Sequence, residues 1–143
     1  MRSHVSSITL LSLAAAGAML SSCAATPAET ARAADRRAAE QNALAQELAG
    51  MTAGEKKDCL NQFETNSASL KAVGGALIYR VSDKLKYVND TGGGCQAVAS
   101  GDILVTKSPT GQLCRGDIAQ TVMPGSRVPS GSCALGSFTV YRK

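Results

Sequence analysis

Four cysteines constrain this chain more than any other feature. Cys59, Cys95, Cys114 and Cys133 all fall within residues 55–143, at spacings of 36, 19 and 19. None forms a C-x-x-C pair. Cysteine-built metal sites usually bring such close pairs, so the pattern points to two disulfides and away from zinc. Four cysteines admit three pairings, and sequence does not choose among them. The pairing preferred on locality is Cys95–Cys114, closing one β unit, with Cys59–Cys133 tying the two ends of the domain. A domain this small buries a modest fraction of its surface, and each bridge adds about 2–4 kcal/mol.

Between and around the cysteines, short extended runs alternate with turn residues. Cys59 to Phe63, Ser69 to Val73, Ala76 to Val81 and Lys84 to Val88 read as strands, the last with polar and apolar residues in strict alternation. Asp90 to Gly94 reads as a loop. Ile103 to Thr106 and Gln112 to Arg115 flank Ser108-Pro109-Thr110-Gly111, the signal of a hairpin. Ile118 to Val122 follows, then a Pro/Gly/Ser loop over Met123 to Ser132, and Leu135 to Tyr141 closes the domain. About seven short strands over residues 55–143 predict a mainly β fold, a small antiparallel barrel or sandwich.

Residues 23–54 read as a tether. Thr26, Pro27 and Glu29 spell a helix start, with Thr26 as cap, Pro27 at the first helical position and Glu29 completing a capping box. Helix formers then run to Ala49, and Gly50 is the stop. The apolar stripe is thin: Ala34, Ala38 and Ala45, then Leu44, Leu48 and Met51. It fits a solvent-exposed linker whose last turns touch the domain, in preference to a spacer with an oligomer seam. Thr52-Ala53-Gly54-Glu55 reads as a second capping box, opening a short turn before Cys59.

The N-terminus sets the compartment. Arg2 and an apolar run from Val5 to Leu20 have the charge and length of a signal segment, too short and too rich in Ser and Thr for a membrane span. Leu20-Ser21-Ser22-Cys23 resembles a bacterial lipobox, where an ordinary secretory signal would carry its cysteine by chance. The resemblance implies that residues 1–22 are removed and that Cys23 carries acyl chains such as palmitate. One chain anchors weakly, whereas two or more anchor stably. Ala24 stands where Asp would signal inner-membrane retention in Gram-negative lipoproteins, which implies the outer membrane with the domain in the periplasm. The four remaining cysteines then lie in an oxidising compartment.

A second resemblance rests on two patterns, L-C-x-x-D at Leu113-Cys114-Arg115-Gly116-Asp117 and C-x-L-G-x-F at Cys133-Ala134-Leu135-Gly136-Ser137-Phe138. With Cys59 and Cys95 upstream, residues 57–140 resemble an uncharacterised domain-of-unknown-function family of small proteobacterial envelope proteins. That family implies a compartment and a fold and supplies no mechanism. This chain departs from it in having few aromatics, namely Phe63, Tyr79, Tyr87, Phe138 and Tyr141 with no Trp.

Several chemistries are excluded. The one histidine, His4, precedes Cys23, so neither a Ser-His-Asp triad nor a His-ligated metal forms in the mature chain. Asp90-Thr91-Gly92 spells the aspartic-protease triplet but sits among turn residues, and Gly92-Gly93-Gly94 lacks the G-K-[ST] and helix of a phosphate loop. Asp102 with Asp117, or Asp83 with Asp90, are the carboxylate pairs available for glycoside hydrolysis, although Asp117 beside Cys114 better suits a turn. Arg80, Lys84 and Lys86 read as a solvated positive strand face. Of 15 Lys and Arg only Arg2 precedes Cys23, which leaves a mild positive balance against 11 Asp and Glu, without the basic stripe of a nucleic-acid binder.

The expectation is therefore a non-enzymatic lipoprotein with no catalytic residues, cofactor or metal. It is held to membrane lipid through Cys23, stapled by Cys59, Cys95, Cys114 and Cys133, and serves as a binding or envelope-structural module, by binding an envelope protein partner or stabilising an envelope assembly. The alternative is a lipid-anchored inhibitor of a hydrolase such as lysozyme, with the loop Met123–Ser132 entering the enzyme's cleft.

Overall fold

A computed structural model describes residues 25–143; the expected signal segment 1–22, the expected acylation site Cys23 and Ala24 lie outside the described residues. The chain divides into two units, the first ending at Asp35 and the second spanning Arg36–Lys143. In the first, helix α1 (Pro27–Glu47) begins. Thr26 and Glu29 form the expected reciprocal cap: the Thr26 backbone N–H donates to Glu29 Oε2 (2.8 Å) and the Glu29 N–H to Thr26 Oγ1 (3.3 Å).

The second unit is mainly β. Its strands are β1 (Thr52–Lys57), β2 (Cys59–Leu60), β3 (Ser69–Val73), β4 (Ala76–Ser82), β5 (Leu85–Asp90), β6 (Ile103–Thr106), β7 (Leu113–Cys114), β8 (Ile118–Val122), β9 (Pro129–Ala134) and β10 (Phe138–Arg142). Two short helices, α2 (Gln62–Asn66) and α3 (Gln96–Ala99), interrupt them. All pairing is antiparallel, in a five-stranded sheet of order β1-β10-β5-β4-β3, a three-stranded sheet β6-β8-β9 and the small pair β2-β7. No barrel closes.

Strand alternation explains the layers. On one face of the large sheet, Leu77, Tyr79, Tyr87, Phe138 and Val140 enter the core, which also takes Leu60, Leu113, Leu135, Ala119 and both Cys95 and Cys133. On the other face Ile78 and Val88 pair across β4 and β5 and are also buried. The last turns of α1 lie on that second face. Leu44 and Val88 line one cleft, and Lys71 pairs with the Glu47 carboxylate. Lys86 Nζ donates to the Glu47 carbonyl at the helix C-terminus, where a cation is favoured. Within the second unit the half-buried residues of α1 are Glu40, Ala43, Leu44 and Glu47, with Leu48 half-buried just past its end. The expected alanine stripe is corrected: Ala34, Ala38 and Ala45 are exposed, because leucine area and the charges facing Lys71 and Lys86 set the helix's rotation.

The disulfide pairing also differs from the preferred one. Cys59 bonds Cys114 and Cys95 bonds Cys133, with Cα–Cα distances of 4.0 and 5.3 Å. Cys59 and Cys114 face each other directly in β2-β7, beside the buried pair Leu60 and Leu113. This pairing removes the expected hairpin: β6 pairs with β8, Ile103 opposite Val122 and Thr106 opposite Ala119, while β7 is held to β2. Cys95 reaches Cys133 because Gly94 packs directly on that residue; a Cβ at 94 would lie 2.7 Å from Cys133 Cβ.

Four segments change type. Gln62–Asn66 form α2, in place of the strand expected to run on to Phe63. Asn61 caps it reciprocally with Glu64: the Glu64 N–H donates to Asn61 Oδ1 (3.0 Å) and the Asn61 N–H to Glu64 Oε2 (2.9 Å). Thr52–Glu55 belongs to edge strand β1, paired with β10 through a bulge between Ala53 and Lys56. After the turn at 91–94 the chain forms α3 before β6. The expected loop Met123–Ser132 is strand from Pro129 onward, paired with β8.

Candidate functional site

The carboxylates singled out for chemistry do not come together. Asp102 precedes Ile103, which lies opposite Val122 at one end of β8, whereas Asp117 precedes Ile118 at the other end. Strand rise separates them by roughly 17–20 Å, against about 5–9.5 Å for the carboxyl pair of a glycosidase. Asp83 and Asp90 bracket β5 and are about 20 Å apart by the same measure. Each has its own local partner. Asp117 Oδ2 accepts from the Cys114 N–H (2.7 Å), Asp90 Oδ1 from the Gly92 N–H (2.9 Å), Asp102 from the Ser130 hydroxyl, and Asp83 pairs with Arg80.

The triplet Asp90-Thr91-Gly92 is a turn, with the Thr91 N–H bonded to the Gly75 carbonyl (3.1 Å). Gly75 and Gly93 pack backbone to backbone there; a Cβ on Gly75 would lie 2.6 Å from Gly93 Cα. Arg80 and Lys86 are cross-strand neighbours, but both are engaged by carboxyl or carbonyl oxygens, and Lys84 lies in the turn between β4 and β5. No cluster of three or more His, Cys, Asp or Glu suited to a metal ion occurs among the described residues.

What the fold does build is a cleft of about 320 Å³ between α2, the edge strands β3 and β6, and the connection from β6 to β7. Gln62, Thr65 and Asn66 reach it from α2. Thr106, Ser108 and Gln112 reach it from the opposite wall, and Leu70, Leu104 and Leu113 supply an apolar floor. Tyr79 of β4 also lines it. This tyrosine is only 5% exposed and stands edge-on to Phe138, with ring centroids 5.9 Å apart. Its hydroxyl is buried and has no hydrogen-bond partner among the described residues. Burial pushes the Tyr79 hydroxyl up to about 12.

A charged cluster fixes the wall formed by α2. Glu64 Oε1 accepts from Lys57 Nζ (2.6 Å) and from the Tyr87 hydroxyl (2.7 Å), while Oε2 holds the Asn61 backbone. Lys57 also stands over the Tyr87 ring, 5.6 Å from its centroid. Burial acts to raise the Glu64 pKa, but the bonds from Lys57, Asn61 and Tyr87 outweigh it and hold the carboxyl below its ordinary value. The same contact, added to burial, pushes Tyr87 up to about 12.

The second wall depends on the two sequence patterns. The Gly116 N–H donates to the Leu135 carbonyl (2.8 Å), and the Leu135 N–H to the Asp117 carbonyl (2.9 Å). Each pattern therefore braces the other behind Leu113. The Asn89 side chain, fully buried, closes both of its hydrogen bonds on Gly136 (2.6 and 3.0 Å).

The cleft escaped the reading of the sequence because its residues come from five separated segments. The one visible signal was Asn61-x-x-Glu64, an Asx capping box that marks α2. No family model, curated protein or solved structure matches this chain.

Proposed function

We propose that the protein is an outer-membrane-anchored periplasmic lipoprotein whose disulfide-stapled β domain is a non-enzymatic binding or envelope-structural module. The observation that carries this reading is the pairing of cysteines. All four in the domain are consumed in two bridges, which suits an oxidising compartment and leaves Cys23, at the end of a lipobox-like stretch, as the one cysteine without a partner in the domain. The non-enzymatic part is supported by carboxylates that stand apart and serve turns. No helix among the described residues is long and apolar enough to cross a membrane, so the reading assigns attachment to the acyl chains.

Cys23→Ala tests the anchor. The variant is expected in the aqueous phase after detergent phase partition, with no incorporation of labelled palmitate; retention with the membrane fraction overturns the anchor. The hydrolase-inhibitor alternative has less to stand on. Its loop shrinks to residues 123–128, closed by bonds between Met123 and Val128 (2.9 Å) and Met123 and Arg127 (3.0 Å). Purified protein is expected to leave lysozyme activity unchanged.

A further inference from the structure

We propose that the cleft between α2 and the β6–β7 connection is a binding site for an uncharged, hydroxyl- and amide-bearing saccharide, an assignment that rests on the binding-module reading above. The lining selects for that chemistry. Gln62, Thr65, Asn66, Thr106, Ser108 and Gln112 present hydroxyls and amides from two facing walls, and among the described residues no Lys, Arg, Asp or Glu lines the cleft. An ionic ligand entering it would lose water without meeting a counter-charge, which is costly. A neutral ligand with many donors and acceptors meets partners on both sides. Ordinary small-molecule sites are mostly apolar with a few polar groups; here polar side chains outnumber apolar ones. The leucine floor suits the C–H face of a pyranose ring, and the volume of about 320 Å³ is at the small end of the range for ligand sites, which fits one or two sugar rings.

Tyr79 is the second, independent observation. Buried hydroxyls nearly always have a partner, and one left alone carries its full desolvation cost. Tyr79 lines the cleft with its hydroxyl buried and unpartnered among the described residues. In the proposed complex a ligand hydroxyl or amide is its partner, reached by a shift of the side chains that cover it in the free protein. An extended peptide added to the free edge of β3 is the competing occupant. It is disfavoured because α3 lies close beside β3, and a covered edge does not accept another strand.

The test uses the full chain in detergent micelles, titrated by calorimetry with tri-N-acetylchitotriose, with maltotriose, and with the de-N-acetylated, positively charged glucosamine trimer. Saturable binding of a neutral trisaccharide, and markedly weaker binding of the charged one, is expected. Tyr79→Phe is expected to weaken the neutral ligand about tenfold while leaving the thermal midpoint unchanged or higher, because it deletes an unsatisfied group from the free protein. Gln112→Ala, on an exposed part of the wall, is expected to weaken binding by a similar factor without loss of fold. The proposal is overturned by no saturable binding of either neutral sugar up to about 10 mM, or by wild-type affinity in Tyr79→Phe. It is also overturned if an extended peptide, and no sugar, protects the β3 amides from hydrogen exchange. The binding-module reading fails separately. An envelope protein cross-linked in membranes without any sugar binding sinks only the saccharide assignment, whereas loss of membrane attachment in Cys23→Ala leaves the titration untouched.

Discussion

Glu64 gathers donors from three places, the Lys57 ammonium, the Tyr87 hydroxyl and the Asn61 backbone, so one carboxylate ties edge strand β1, central strand β5 and α2 together. Glu64→Gln keeps the shape and removes the charge; it is expected to cost about 1–2 kcal/mol in urea unfolding. The pH dependence has a definite sign. The folded Glu64 carboxyl titrates below its ordinary value of 4.5, so its contribution is present above that pH and is lost as pH falls through the lowered folded value. Tyr79 acts at the other extreme. Its ordinary value of 10.0 is raised to about 12, so the neutral folded form is fully favoured below pH 10 and the advantage is lost between pH 10 and 12. The loss is about 2–3 kcal/mol by linkage. Circular dichroism against pH is expected to show an alkaline transition that is smaller in Tyr79→Phe. Gly136 shows why a glycine stands in C-x-L-G-x-F: a Cβ there collides with the Asp90 carbonyl, while its backbone closes two bonds to buried Asn89. Gly136→Ala is expected to destabilise by about 2–3 kcal/mol or more, read by thermal melting.

The elements legible in the sequence are those whose pattern is complete in themselves. Helix α1 begins where Thr26, Pro27 and Glu29 place it and ends near Gly50, whose φ of 71° suits a stop that only glycine adopts freely. Strands β3, β4, β5, β6 and β8 announce themselves as short extended runs between turn residues, β5 with polar and apolar residues in alternation. Strands β1 and β9 do not, because Thr52–Lys57 and Pro129–Ala134 carry no apolar period; both are edge strands whose state is set by the neighbour each pairs with, β10 and β8. The hairpin expected around Ser108–Gly111 fails for a related reason. Turn residues permit a reversal, but pairing follows the partner that buries most, and Leu113 buries beside Leu60 under the Cys59–Cys114 bridge. With only two residues in each strand, that pair depends on its bond. Replacing both Cys59 and Cys114 by alanine is expected to cost about 4 kcal/mol, as is replacing Cys95 with Cys133. The bridged separations of 55 and 38 residues differ little on a logarithmic scale. Hydrogen exchange should separate the two variants. The first is expected to open the wall around Leu113, and the second to free α3.

Across the second unit, a core of mixed strand and loop residues joins two sheets whose outer faces differ. One outer face of the large sheet is covered by the last turns of α1. The outward side of the three-stranded sheet leaves Ile103, Val105 and Ile118 exposed. Ile118→Lys is expected to alter stability by less than about 0.5 kcal/mol in the same urea assay, because its side chain is exposed. The fold class was legible in the spacing of turns and strands. The cleft was not, since it forms only where α2, β3, β6 and the segment before β7 converge. The order of the large sheet has a consequence for timing. β10 runs between β1 and β5, so, of the described strands, the last one synthesised belongs in the middle of the sheet, and Cys133 shortly before it holds Cys95. A growing chain that has not yet released residues 138–142 has two strands without their shared neighbour and a gap where Phe138 and Val140 fill the core. Contacts of such long sequence separation form slowly, so closure of the large sheet is expected to wait for that strand. Until then β1 and β5 lack the strand that joins them, and the sheet stays open at its centre.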